Sequence, residues 1–272
     1  MQSAYDRLEG FIHHAVQYIA MIGQAYTPPQ ADDSHTNMCW DIEKKAYTGH
    51  PVQGPKDFIP AFYPEDFSLA LLDIKGQTLV SIKLSELSFE AGLSCLRQRL
   101  AAMGYEGDKL QRINHYEIPP EPLASTLKFE LPVPELVAKW IYQRSEAQKA
   151  IEAIAQASNF KSSVQTWPHH FDAGIYELLE IPNADGGHGL GLGWAVKDSV
   201  ANEAYFYVYL WQEKGAIDYA NLAPLSVGHW ADGDWKGAYL GASEAFPKGG
   251  ENIQEPIRRF LTEAKQALLE AI

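Results

Sequence analysis

Residues 187–196 read GHGLGLGWAV and residues 204–211 read AYFYVYLW, two runs that alternate between two kinds of side chain. Successive side chains of a strand point to opposite faces, so Gly189, Gly191 and Gly193 share one face of the first run. Glycine weakens a strand, and three at this spacing indicate that a backbone, an aromatic ring or a ligand comes close to that face. No helix follows the glycines, which excludes a phosphate-binding loop.

A hairpin of these two strands would bring tyrosines to the glycine face. Directly opposite residues share a face, and burial of Trp194 requires apolar partners on the second strand. The tyrosines of that strand then face the glycines. We predict a shallow trough with a glycine floor and phenol edges. Its predicted ligand-binding residues are Tyr176, Gly191, Gly193, Tyr205, Tyr207, Tyr209, Trp230 and Trp235. Plain packing of rings on bare backbone is the alternative, and both interpretations stay open at this point.

A polar cluster precedes the glycine strand, in TWPHHFDAG at residues 166–174. Alternation along a strand at 170–180 places His170 and Asp172 on one face, away from the core. An imidazole and a carboxylate on one face can share a proton. We therefore predict His170 as a general acid or base and Asp172 as the group that orients it. A buried histidine satisfied by a carboxylate is the alternative.

Metal binding is a weaker interpretation of the same residues. The spacing HxD on a strand is a poor metal signal compared with HExxH on a helix. The side chains that would have to converge are His169, His170, Asp172, His188 and His229. Nothing in their spacing brings them together, so we predict no metal and leave the cofactor open. His13 and His14 are expected to lie partly exposed on the first helix.

Helical periodicity and strand alternation both occur along the chain. Four helices are predicted: one that begins after Ser3 and ends near Tyr26, one at about 88–103, one from Pro134 onward and one after the glycines at 249–250. Strands are predicted at 39–47, 67–74, 78–85, 111–118, 170–180, 189–197 and 204–212. The links are short and rich in turn residues, which favours antiparallel pairing. The prediction is an α+β fold, with about four helices packed against an antiparallel sheet.

Composition restricts the class of partner. The 272 residues include 46% hydrophobic, 12% aromatic and 21% charged residues, the profile of an ordinary globular chain. We expect one domain over 1–272, or two closely packed halves that meet near 118–135. The net charge of −13 opposes binding to nucleic acid or anionic lipid. The apolar segment at 11–23 is too short and polar to span a bilayer. A cytoplasmic protein is the expectation, with Cys39 and Cys95 as reduced thiols.

Three blocks carry a resemblance to a known family. The blocks are WPHHFDAG at 167–174, AYFYVYLW at 204–211 and HWADGDWKGAYL at 229–240. In order and spacing they resemble the carboxy-terminal half of the bacterial domain-of-unknown-function family numbered five-nine-nine-six. The segments between them fit more loosely, so that the resemblance covers most of the chain. It implies a bacterial, cytoplasmic, single-unit protein and carries no reaction, cofactor or catalytic residue with it.

Three classes of function follow from these patterns. The first is an enzyme in which His170 and Asp172 perform acid–base chemistry beside the tyrosines; it has no GxSxG nucleophile elbow. The second is a binding protein whose trough holds a small polar or aromatic molecule by stacking and hydrogen bonding. The third is a protein-interaction module with structural histidines, whose contact surface lies around Trp230 and Trp235.

Overall fold

The computed structural model describes residues 4–113, 115–118, 127–130, 133–181, 186–247 and 253–272. They form two compact units, and the chain passes between them three times. Unit 1 contains the described residues of 1–145 and 166–171, and unit 2 those of 146–165 and 172–272. The predicted meeting point at 118–135 falls largely outside the described residues, and the single-domain organisation stays a prediction.

Unit 1 combines an antiparallel sheet with long helices. Its strands and helices are α1 (Ala4–Tyr26), β1 (Cys39–Asp41), β2 (Ala46–Thr48), β3 (Ile59–Tyr63), β4 (Ser68–Leu72), β5 (Thr78–Lys83), α2 (Phe89–Ala102) and the first half of α3 (Pro134–Ala157). The five strands are ordered β1-β2-β3-β4-β5, and each neighbouring pair is antiparallel. Helix α1 packs against β3 and α2 packs against β5.

Helix α1 is more deeply buried than its sequence predicts. The apolar stripe that includes Phe11 and Ile12 is buried as expected, but His13 and His14 are buried as well. The expectation that these two histidines lie partly exposed was wrong. Because α1 is buried around most of its circumference, His13 and His14 have no exposed helix face to occupy. Their burial is a consequence of tertiary packing.

Unit 2 is built on a second antiparallel sheet. Its elements are the second half of α3, β7 (Ala173–Leu179), β8 (His188–Ala195), β9 (Tyr205–Gln212), β10 (His229–Asp232), β11 (Lys236–Gly241), α4 (Ala242–Ala245) and α5 (Gln254–Leu269). The short strand β6 (Gln165–Thr166) spans the division between the units. The sheet order is β10-β11-β9-β8-β7-β6.

One face of this second sheet carries the core of unit 2. Leu192, Phe206 and Val208 are fully buried on it, as the alternation predicts. They pack with apolar residues of α3 and α5, among them Ile151 and Phe260. Burial of apolar surface in this layer stabilises the unit by roughly 25 cal/mol per Å². The opposite face, called the outer face below, is not part of this core cluster.

The α+β class with antiparallel sheets is confirmed, and several details differ. Two sheets are present instead of one, with five helices among the described residues. The predicted strand 39–47 is a hairpin of β1 and β2, because Lys45 adopts a positive φ of 51° and the Lys44 N–H donates to Asp41 in the turn. Strand β3 and the β10–β11 hairpin were missed. No strand lies in the described part of 111–118.

Candidate functional site

The register of unit 2 places the glycines and tyrosines on the outer face. Gly191 lies between Tyr176 of β7 and Tyr209 of β9, and Gly193 lies opposite Tyr207. The predicted hairpin and its shared tyrosine and glycine face are therefore confirmed. The physical cause is the burial of the alternate residues on the core face, since a slip by one residue would expose all of them.

The space above the glycines is filled by rings and is not an open trough. A Cβ atom added at Gly189 would overlap the Tyr176 phenol, and one at Gly191 would overlap the Tyr209 ring. A Cβ atom added at Gly193 would lie 2.5 Å from the Tyr207 hydroxyl. Glycine is required along β8 because any side chain would displace the rings that lie over it.

The rings form a row along β8. We call Trp211, Tyr176, Tyr209 and Tyr207 the aromatic strip; they lie over Gly187, Gly189, Gly191 and Gly193 in that order. The centroids of Tyr176 and Tyr209 are 6.4 Å apart with planes at 24°, and those of Tyr207 and Tyr209 are 6.1 Å apart at 29°. The planes of the three tyrosine rings are thus within 24° and 29° of their neighbours.

The strip differs in exposure along its length. Tyr176 is 43% exposed and Trp211 is 45% exposed, whereas Tyr209 is half-buried. Leu178, which lies on the same face of β7, is 71% exposed. Large exposed apolar side chains grouped on one surface are typical of a binding surface. One end of the strip is therefore accessible to a ligand.

The other end of the strip is held by carboxylates. The Tyr207 hydroxyl donates to Asp172 Oδ2 at 2.7 Å, and the Tyr205 hydroxyl donates to Asp198 Oδ2 at 2.8 Å. Burial and then the Asp172 charge raise the pKa of Tyr207 well above its ordinary value, and burial and then Asp198 raise the pKa of Tyr205. Both phenols stay protonated at neutral pH and act as fixed donors.

The structure corrects the geometry predicted for His170 and Asp172. Strand β7 begins at Ala173, so neither residue belongs to it. The Phe171 N–H donates to the Trp167 carbonyl at 2.8 Å, and Phe171 has a φ of 56°, which ends the extended backbone before residue 172. Strand alternation does not run through Phe171, and the prediction that both side chains share one strand face was wrong. His170 belongs to unit 1 and Asp172 to unit 2.

Unit 1 instead gathers four histidines around the segment at 166–171. The His13 ring donates from Nε2 to the Pro168 carbonyl at 2.8 Å, and Gln17 Nε2 donates to the same oxygen at 2.8 Å. His169 and His170 follow Pro168, with ring centroids 4.4 Å apart. His170 is exposed and His169 is half-buried. The histidine pairs of helix α1 and of the WPHHF segment thus meet within one unit, a grouping that the sequence did not predict.

Burial keeps the two α1 histidines neutral. Loss of hydration lowers the pKa of His13 to about 3, against the opposing effect of its bond to Pro168. Loss of hydration, and then the Arg112 charge, lowers the pKa of His14 to about 4. Because both pKa values lie far below 7, both side chains are neutral near neutral pH.

Sequence reasoning missed a carboxyl group on the same helix. Burial raises the pKa of Glu9 to about 7, although a side-chain hydrogen bond from Trp140 opposes the shift. Nearby, the Arg144 guanidinium donates to the Tyr47 hydroxyl at 3.2 Å and to Thr166 Oγ1 at 3.0 Å. The sequence carried one signal of this burial, since Glu9 falls beside the apolar stripe of α1. A carboxyl with this pKa can exchange protons near neutral pH.

A pocket of about 440 Å³ opens on the outer face of unit 2, beside strands β10 and β11 and outside the aromatic strip. It is lined by Val200, Ala201, Asn202, Glu203, His229, Tyr239, Gly241 and Glu244. His229 Nε2 lies 3.1 Å from Glu244 Oε1, and Glu203 accepts hydrogen bonds from the backbone and hydroxyl of Ser243. The carboxylates of this pocket therefore already have partners within unit 2.

The remaining predicted site residues lie apart from the strip. Trp230 packs against the core of unit 2 and donates to the Ala223 carbonyl at 2.9 Å. Trp235 lies over Gly237 in the β10–β11 hairpin. His188 is buried at the start of β8. Among the described residues, no three or more His, Cys, Asp or Glu side chains are arranged to hold a metal ion. The metal candidates do not converge.

Within the described part of the chain, no helix has the length and apolar character needed to cross a membrane.

Comparison with known proteins adds no assignment. The resemblance to the family numbered five-nine-nine-six stays a prediction. No protein-family model, no curated protein and no solved structure matches this chain.

Proposed function

We propose that this protein binds a ligand made of flat or ring-shaped groups, which stacks on the aromatic strip of unit 2. The observation that carries the proposal is the exposure of Tyr176 and Trp211 above glycines that support them from below. Part of each ring lies against the glycine backbone, and the rest of its surface is exposed to solvent. Aromatic rings in this position supply large contact area at low cost in side-chain freedom.

The glycine support also favours binding through rigidity. The phenols of Tyr176 and Tyr209 lie across β8, where the absence of side chains lets them contact the backbone. A ring that is already held in place loses little conformational entropy when a ligand stacks on it, so more of the contact energy appears as affinity. A strand with larger residues in place of Gly189 and Gly191 would not hold the rings in this way.

The strip is a better candidate than the pocket around His229. The carboxylates of Glu203 and Glu244 already have partners inside the protein, and a ligand would have to compete with Ser243 and His229 for them. A ligand can contact the exposed rings of Tyr176 and Trp211 without competing for such hydrogen bonds. The acid–base role of His170 and Asp172 stays a prediction, as does the cytoplasmic location, and the proposal requires neither.

A fluorescence titration tests the proposal. The wild-type protein is titrated with neutral sugars, purines, flavins and short proline-rich peptides, and tryptophan emission and thermal shift are recorded. Binding that depends on the strip should weaken in Trp211→Ala, since one stacked ring contributes about 1–3 kcal/mol. The matched control is Tyr142→Ala, which removes a 49%-exposed ring from helix α3 of unit 1. Equal affinities for the two variants and the wild type would reject the proposal.

Contact with another protein is the competing function, and one observation favours it. Leu178 is 71% exposed beside Tyr176 and Trp211, and an exposed leucine contributes to protein interfaces. Leu178→Ser separates the two functions. It should leave binding of a stacked small ligand within twofold of the wild type, because the aromatic rings are unchanged, and should weaken a protein contact severalfold.

A further inference from the structure

We infer that the ligand of the aromatic strip is a neutral oligosaccharide chain that lies along β8 with one sugar ring over each exposed aromatic ring. The inference rests on the proposed function and names the class of its ligand. It follows from three features of unit 2: the spacing of the rings, the charge of the chain and the polar groups at the accessible end of the strip.

The ring spacing requires a ligand that lies on the strip. Whatever the orientation of the rings, a ligand ring between two neighbouring members must keep contact distance to both, which requires a centroid separation of at least about 7 Å, twice the 3.5 Å contact distance of carbon atoms. The separations here are 6.4 Å between Tyr176 and Tyr209 and 6.1 Å between Tyr207 and Tyr209. No ring fits between neighbours. A proline-rich segment, which docks its rings in slots between aromatic side chains, therefore suits this surface less well than a chain of rings laid on top.

The strip repeats, and this repetition favours an extended ligand. Gly187, Gly189, Gly191 and Gly193 are two residues apart, so the rings above them recur at roughly the 6.6 Å of two strand residues. A single small ring would use one of these positions. A chain of linked rings would use several at once, and its affinity should rise with its length until the exposed positions are filled.

The charge of the protein distinguishes between two biological polymers that contain a series of rings, namely nucleic acids and neutral sugar chains. Nucleic acids stack their bases on aromatic platforms, but they also need basic residues along the phosphates. The net charge of this chain is −13, and Glu213 lies at the accessible end of the strip, where its carboxylate accepts from the Gly187 N–H at 2.9 Å. A polyanion would be repelled there. A neutral sugar chain would not.

The chemistry of a sugar matches both parts of the surface. The C–H groups on one side of a pyranose carry partial positive charge, which is attracted to the negative face of an aromatic ring. The hydroxyls at its edge are donors. A carboxylate has about four acceptor sites, and the bond to Gly187 uses one of those of Glu213, so the end beside Trp211 can accept from sugar hydroxyls.

Affinity electrophoresis and calorimetry test the inference on the full chain. The probes are soluble neutral polysaccharides (a β-glucan, starch, a xylan and a mannan) and the glucose, xylose and mannose oligomers of one to six units. We expect retardation by at least one polysaccharide and at least tenfold tighter binding of its hexamer than of its monomer. Trp211→Ala and Tyr176→Ala should each weaken hexamer binding at least tenfold. His229→Ala, on the same sheet face but outside the strip, should change it less than twofold.

Three other outcomes would overturn the inference. Binding of a purine, flavin or proline-rich peptide through Trp211, with no neutral sugar bound, would reject the oligosaccharide and leave the proposed function standing. Sugar binding that is unchanged in Trp211→Ala and Tyr176→Ala would place the sugar elsewhere and reject both. The absence of any ligand that depends on Trp211 would also reject both. Unchanged circular dichroism and melting temperature of each variant show that it remains folded.

Discussion

Aromatic rings cluster in both units of this protein, and they are used in opposite ways. In unit 1, Phe171 is buried parallel to His13 at 4.7 Å and to Trp140 at 6.3 Å, with Tyr47 at 5.6 Å. In unit 2 the rings of the aromatic strip lie over glycines, and Trp211 keeps 45% of its surface exposed. A closed cluster stabilises the fold, whereas a row of supported and exposed rings leaves contact surface for a ligand.

The difference between the two units also explains why the histidines that stand out in the sequence belong to a structural region. His13 is buried, bonded to the Pro168 carbonyl and neutral, while Phe171 adopts a positive φ that the surrounding rings hold in place. These features fix the segment at 166–171 within unit 1. The surface that we assign to a ligand contains no histidine in its strip and is marked only by glycine and tyrosine alternation.

Truncation of one ring in each unit should separate the two uses most clearly. Phe171→Ala should lower the free energy of unfolding by about 3–5 kcal/mol, because it empties a buried site between His13 and Trp140. Trp211→Ala should lower it by less than about 1 kcal/mol, since its ring is half exposed. Chemical denaturation followed by circular dichroism measures both. Similar losses in the two variants would contradict the distinction between a closed cluster and an open strip.

A buried histidine should make unit 1 sensitive to acid. The pKa of His14 is about 4 in the folded protein and 6.5 unfolded, so its contribution is complete above pH 6.5 and is lost as the pH falls towards 4. The wild type should lose about 2–3 kcal/mol from this group between pH 7.5 and 4.5, relative to His14→Gln. Urea denaturation of both proteins at three pH values measures the difference. Parallel curves would show that His14 does not titrate between the two states.

Filling a glycine position tests the support of the strip. Gly191→Val adds a side chain that overlaps the Tyr209 ring, and overpacking of this kind costs about 1–3 kcal/mol. The displaced ring should also abolish strip-dependent ligand binding. Gly233→Ala is the matched control, because an added Cβ there meets no atom within 4 Å. Unchanged melting temperature and binding in Gly191→Val would mean that the rings do not depend on the glycines.

The smallest expected effect has the opposite dependence on pH. Glu9 has a pKa of about 7 in the folded protein against 4.5 unfolded, so its contribution is complete below pH 4.5 and is lost as the pH rises through 7. Relative to the wild type, Glu9→Gln should gain about 1–2 kcal/mol between pH 4.5 and 8, less than the full shift because Glu9 is partly exposed. The same urea series measures this gain. A gain towards low pH would reverse the assignment.

The strand pattern of unit 2 was predictable because its cause is local. Alternation between Trp194 and its glycine neighbours defines two faces, and burial of the apolar face fixes the pairing with β9. Where a turn interrupts a strand, local pattern was insufficient. The run at 39–47 has strand-like residues, but the positive φ of Lys45 splits it into β1 and β2, and Phe171 similarly ends the strand predicted from residue 170.

The α+β class, the antiparallel pairing and the shared face of glycines and tyrosines could be predicted from the sequence, because all of these follow from residue-by-residue periodicity. Three features could be seen only in the folded chain: rings fill the space above Gly191, Trp211 stays exposed, and His13 donates to the Pro168 carbonyl. Those outcomes depend on which elements pack together. Periodicity gives the direction of a side chain within its own element, and the burial, pKa and partners of that side chain come from other elements.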